Sequence, residues 1–154
     1  MKLLVALDSS DYAYKIVNYV ASAVRRDAQI TLFSVLDSIP NDLADQLKYY
    51  PQFEEKVEEL RKIEVGKASI LHDVMEKCKN VLVKAGIAEK NIDINADSKK
   101  VGVARDIIHE AERGNYDTVV VGRRGLSAAS SFVFGSVSNK IVHHLKNCTV
   151  WVVE

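Results

Sequence analysis

The residues in this chain best suited to hold a ligand are three glycines and two serines in its last third. Val119-Val120-Val121-Gly122-Arg123-Arg124-Gly125 leads, through a nine-residue spacer, to Gly135-Ser136-Val137-Ser138. A β-branched run ends in glycine, a second glycine follows two residues later, and a Gly-Ser pair opens a segment patterned as a helix. Glycine lets a ligand come close to the backbone because no Cβ is in the way. A helix start aims free N–H groups and a positive dipole end at an anion, and serine hydroxyls donate without adding charge. That chemistry is anion binding, and phosphate suits it best. Arg123 and Arg124 stand between the first two glycines. An arginine there can bond a phosphate through charge-assisted hydrogen bonds, stay in solvent or pair with an acid. Arg124 is a candidate phosphate contact.

The rest of the chain must position this loop. Leu3 to Leu7 is a continuous apolar run, as in a strand buried on both faces. It ends in Asp8-Ser9-Ser10-Asp11, all good helix N-cap types. Ile16, Val17, Val20, Ala21 and Val24 then fall on one helical face, closed by Arg25 and Arg26. Residues 30–36 read as a second strand. Between 37 and 52 the pattern fails, with Pro40 and Pro51 as brackets; a long excursion is expected there, with one helical turn around 42–48. A long helix is predicted over 53–84, with Val57, Leu60, Leu71, Val74, Cys78 and Leu82 inward, a bend at Gly66 and a stop at Gly86. Its acidic and basic run is read as a solvated face.

Residues 92–96 alternate as a third, more exposed strand near a sheet edge. A helix follows Gly102 and ends near Gly114; residues 117–121 form the fourth strand. Val137, Ile141, Val142 and Leu145 mark the helix after the glycine loop, and residues 149–153 the last strand. Strict β-α alternation predicts a parallel sheet with helices on both faces. In such sheets a ligand sits beyond the carboxyl ends of the strands, where strand order reverses. Asp8, Val35, Leu36 and Gly122 are at those ends.

Composition bounds the class. The chain has 154 residues, matching one domain over 1–154, and 47% of them are hydrophobic, enough for a core without staples. Lysine plus arginine equals aspartate plus glutamate at 21 each, which argues against a general nucleic-acid binder. Cys78 and Cys148 form no CxxC pair and read as packing thiols in a reducing compartment. The apolar N-terminus is too short for a signal peptide and no run approaches a membrane span, so a soluble, cytoplasmic protein is expected. His72, His109, His143 and His144 are expected on helix surfaces, without metal spacing. There is no GxxxxGK[ST], no GxGxxG after the first strand, and no recognisable nucleophile or acid pair.

The spacing Gly-x2-Gly-x9-Gly-Ser, carried by Gly122, Gly125, Gly135 and Ser136, resembles the nucleotide-binding pattern of the universal stress protein family, in its ATP-binding branch. The likeness runs along the chain: Asp8 closes the first strand, an excursion follows the second, Gly102 precedes the third helix, and the last strand is valine-rich. It implies a five-stranded sheet in the order 3-2-1-4-5, of the Rossmann-like adenine nucleotide alpha hydrolase type. It implies that Asp8 lies at the ribose and metal side of ATP, ADP or AMP, and that the Val35 backbone meets the adenine edge. Val121 and Gly122 would line the ribose. The main-chain N–H groups of Gly125, Gly135, Ser136 and Val137, with the Ser138 hydroxyl, would hold phosphates. A carboxylate beside a triphosphate needs a cation between them, and Mg2+ is the usual one. The resemblance further implies a homodimer through the last strand, Thr149–Val153, and a nucleotide-responsive stress regulator with an unidentified protein partner. Hydrolysis of ATP would be slow at most, since no base is evident. Two alternatives remain: an interaction module with a vestigial site, and an AMP-transferring enzyme of a related fold. Many relatives carry Ser or His where this chain has Arg123 and Arg124.

Overall fold

Continuous apolar runs become the centre of the sheet because both of their faces are covered. The computed structural model describes every residue except Pro40, Lys48 and residues 125–133. Its strands are β1 (Lys2–Ala6), β2 (Gln29–Leu36), β3 (Ile92–Ser98), β4 (Thr118–Gly122) and β5 (Thr149–Val153). Its helices are α1 (Tyr12–Ala23), α2 (Asn41–Leu47), α3 (Pro51–Lys84), α4 (Val103–Arg113) and α5 (Ser136–His144), with a single 3-10 turn at Glu89–Asn91. The strands form one sheet in the order β3-β2-β1-β4-β5, and each neighbouring pair is parallel. Fold class and strand order are as expected.

The period of two along each strand sorts side chains into two layers. Leu3, Val5 and Val120 face one side, where they pack with Ile16, Val17 and Val20 of α1 and Leu71, Met75, Cys78 and Leu82 of α3. Leu4, Phe33, Val119 and Val121 face the other, against Ala104, Ile107 and Ala111 of α4 and Ile141 of α5. From β1 the chain steps outward to β2 and β3, then returns to add β4 on the opposite side. The strand order therefore reverses beside β1 and β4, the place where a doubly wound sheet opens a crevice.

Several local readings change. The helical turn expected around 42–48 lies within a short helix, α2, whose Ala44 is buried as is Val57 of α3, and the excursion ends before 52 because α3 starts at Pro51. α3 runs unbroken through Gly66, where an added Cβ would meet nothing within 4 Å, so glycine lowers helix propensity there without bending the axis. Leu60, expected inward, is 43% exposed; apart from Val57 the buried residues of α3 lie in its second half, from Leu71 to Leu82. Val142, placed on the inner face of the last helix, is exposed; Ile141 and Ser138 are its buried residues. Arg25 and Arg26 follow the end of α1 instead of closing its last turn, and Arg25 pairs with Asp27 at 3.3 Å. Gly86 takes φ +96° just past α3, the left-handed geometry that its expected role as a stop requires.

Candidate functional site

At the carboxyl ends of β1, β2 and β4 the sheet opens into a cavity of about 320 Å³. Asp8, Val35, Val121, Gly122, Arg124, Gly135, Ser136, Val137 and Ser138 all line it, so the fold gathers nine of the ten sequence candidates into one wall. The tenth, Gly125, lies outside the described residues, as do Ser127, Ser130 and Ser131 of the spacer. The wall is mostly apolar, with Val35 and Val121 joined by Ile16 of α1 and by Val103 and Ile107 of α4.

Each polar element reaches the cavity for a local reason. The Asp8 carboxylate accepts the Ser10 backbone N–H at 3.0 Å and the Ser10 hydroxyl, which folds the turn between β1 and α1. α1 begins after Asp11 without a side-chain cap, so Asp8 shapes the turn instead of capping the helix. Ser34, buried in β2, donates its hydroxyl to the Leu7 carbonyl at 2.8 Å and locks the ends of β1 and β2 together. Asp37 follows β2 and pairs with Lys99 beyond β3.

The glycine loop is tied through Arg123. Its N–H donates to the Val153 carbonyl at 2.7 Å, and its own carbonyl accepts from the Gly135 N–H at 2.8 Å and the Ser138 hydroxyl at 3.0 Å. Its guanidinium pairs with Glu154. The Gly135 amide and the Ser138 proton are thus used inside the loop. The first helical carbonyl acceptance is Asn139 N–H to Gly135 at 2.9 Å, which leaves the amides of Ser136, Val137 and Ser138 ahead of the helical ladder. These three amides, with the dipole of α5 behind them, are the donors that can serve an anion.

Glycine is needed here for space. A Cβ on Gly122 would stand 2.9 Å from the Arg124 carbonyl and 3.1 Å from Ile16 Cδ1; one on Gly135 would stand 3.1 Å from the Arg123 carbonyl. Among the described residues no group of three or more His, Cys, Asp or Glu side chains could hold a metal. Asp8 therefore suits a cation only if the ligand supplies the other oxygens. His72, His109, His143 and His144 are exposed.

Sequence reasoning missed Ile16, Ser34, Asp37, Val103 and Ile107 as wall residues. Val103 and Ile107 were legible as one helical face, but a face that meets a core and a face that meets a cavity have the same spacing. Asp37 carried a usable signal: it directly follows a strand end, as Asp8 does.

The sheet, its reversal and this cavity define a doubly wound, Rossmann-like α/β protein. The sequence model described as the universal stress protein family matches residues 1–154, and the chain belongs to that family. A putative universal stress protein of Staphylococcus aureus (strain USA300) is 30% identical over 153 residues, 99% of this chain and 82% of the relative. Among solved structures, universal stress protein UspA from Lactobacillus plantarum superposes with a TM-score of 0.74 at 19% identity, covering 100% of this chain and 97% of the other. A universal stress protein from Archaeoglobus fulgidus in complex with dAMP gives a TM-score of 0.65 at 15% identity, covering 100% and 98%. At these identities the two structures speak to the fold.

Proposed function

We propose that this protein binds an adenine nucleotide in the cavity at the ends of β1, β2 and β4, and acts as a small cytoplasmic, nucleotide-responsive regulator. The observation that carries this reading is the pairing, in one cavity of about 320 Å³, of a mostly apolar wall with three helix-start amides suited to phosphate. The dAMP complex of a family member with the same fold supports it. In this reading the backbone at Val35 takes the adenine edge, Val121 and Gly122 flank the ribose, and Ser136 to Ser138 hold phosphate through their amides. Asp8 acts through Mg2+ carried by the nucleotide, since a lone carboxylate would repel a triphosphate.

The reading includes a homodimer. Among the described residues β5 pairs with β4 alone, and an apolar edge strand is a template for a second copy of itself.

Equilibrium dialysis with ATP, ADP and AMP, with and without Mg2+, tests the nucleotide. Saturable binding is expected below millimolar concentration, with Mg2+ favouring ATP more than AMP. Gly135→Val should abolish it, because the added side chain displaces the Arg123 carbonyl and with it the start of α5. Wild type that stays unloaded at millimolar nucleotide would end this reading.

A further inference from the structure

The two arginines after Gly122 have different surroundings. The Arg123 guanidinium is neutralised by Glu154 and does not line the cavity. Arg124 does line it, and makes no ion pair among the described residues. Its Nε, like that of Arg123, is buried with no hydrogen-bond partner, and of the two residues only Arg124 lines the cavity. A desolvated N–H without an acceptor is costly, so the position suits a ligand that brings one. Arg124 is also the one cationic side chain of the described wall, which otherwise carries the carboxylates of Asp8 and Asp37. Asp37 already has Lys99. Without Arg124 the charged side chains of the wall would all be acids, and the amides of α5 would have to hold a phosphate against them.

We propose that Arg124 is the residue by which this site selects a phosphorylated nucleoside over the bare nucleoside, and that its neighbour Arg123 has no part in that choice. The proposal rests on the nucleotide reading above. The guanidinium offers a planar fork to the phosphate oxygens, and the amides of Ser136 and Val137 offer a second set of donors. The purine and ribose contacts are made by other residues, so loss of the fork should spare them.

The test is equilibrium dialysis of AMP and of adenosine against wild type, Arg124→Gln, Arg124→Lys and Arg123→Gln, each checked for a native circular dichroism spectrum. Arg124→Gln should weaken AMP about tenfold or more while adenosine stays within about twofold. Arg124→Lys should fall between, since an ammonium keeps the charge and loses the fork. Arg123→Gln should follow wild type. In wild type, added salt should weaken AMP and leave adenosine unchanged, a readout independent of any variant's folding. Equal losses of AMP and adenosine in Arg124→Gln, or an AMP-selective loss in Arg123→Gln, would overturn the assignment. Arg124→Gln that binds AMP as tightly as wild type removes this assignment and leaves the nucleotide reading standing. Wild type that binds neither compound removes the nucleotide reading and the assignment with it.

Discussion

Arg123 belongs to the glycine loop without lining the cavity. Its amide holds β5, its carbonyl holds Gly135 and Ser138, and its side chain holds Glu154. It anchors the loop to the sheet, which leaves its neighbour turned to the cavity. The same scale settles the two thiols. Burial pushes the Cys78 thiol up to about 11, and burial raises Cys148 as well. At pH 8 roughly one Cys78 in a thousand is thiolate, and only the thiolate reacts. Native protein treated with iodoacetamide at pH 8 should therefore keep Cys78 unmodified by peptide mass mapping, and label it once unfolded in guanidinium. Rapid labelling of Cys78 in the native state would contradict a packing role.

At the scale of elements, the start of α4 depends on one carboxylate. Asp106 accepts N–H bonds from Lys100 at 2.8 Å, Val101 at 3.1 Å and Gly102 at 3.4 Å, stapling the turn that delivers Val103 and Ile107 to the cavity. Burial by itself would raise its pKa, but those three donors and the Lys100 charge outweigh it and hold the carboxyl below its ordinary 3.8. A depressed folded pKa contributes stability that is present above the unfolded value and lost as pH falls through the folded one. Asp106→Asn should melt roughly 2–4 °C below wild type at pH 6, with the gap closing as pH drops below about 3.8. Thermal melts across pH 2–6 check this; a gap that stays constant would assign the loss to something other than ionisation. The elements also mark where the sequence was readable. α1, α4 and the five strands followed from periodicity, because burial on one or both faces writes itself into spacing. α2 fell in a segment without a clear period, since a seven-residue helix packs too few side chains to set one.

At the scale of the whole molecule, the proposed dimer turns on the outer edge of β5. Thr149 N–H bonds Asp117 and the Val153 carbonyl accepts from Arg123, so the odd positions point to β4 and the amides of Val150 and Val152 point outward. Val152→Pro removes an outward donor and leaves the β4 ladder its own. Light scattering should give wild type twice the 17.2 kDa chain mass and the variant a monomer. A wild-type monomer, or a variant that remains dimeric, would move the interface away from this edge. Among the described residues no helix is long and apolar enough to cross a membrane.

By itself the sequence determined the parallel sheet, the helices on both sides and the glycine loop after β4, because these are written in short-range periods and in residue types that few other arrangements require. Only the tertiary structure decided the inner wall of the cavity and the difference between the two arginines. Val103 and Ile107 meet Asp8 and Val35 there across more than sixty positions of sequence, and Ile16 joins them from α1. Arg123 finds Glu154 thirty-one positions away across the end of β5, whereas Arg124, adjacent in sequence, finds the cavity. Adjacent residues of one type differ only by direction, and direction is fixed by what the chain brings back from a distance.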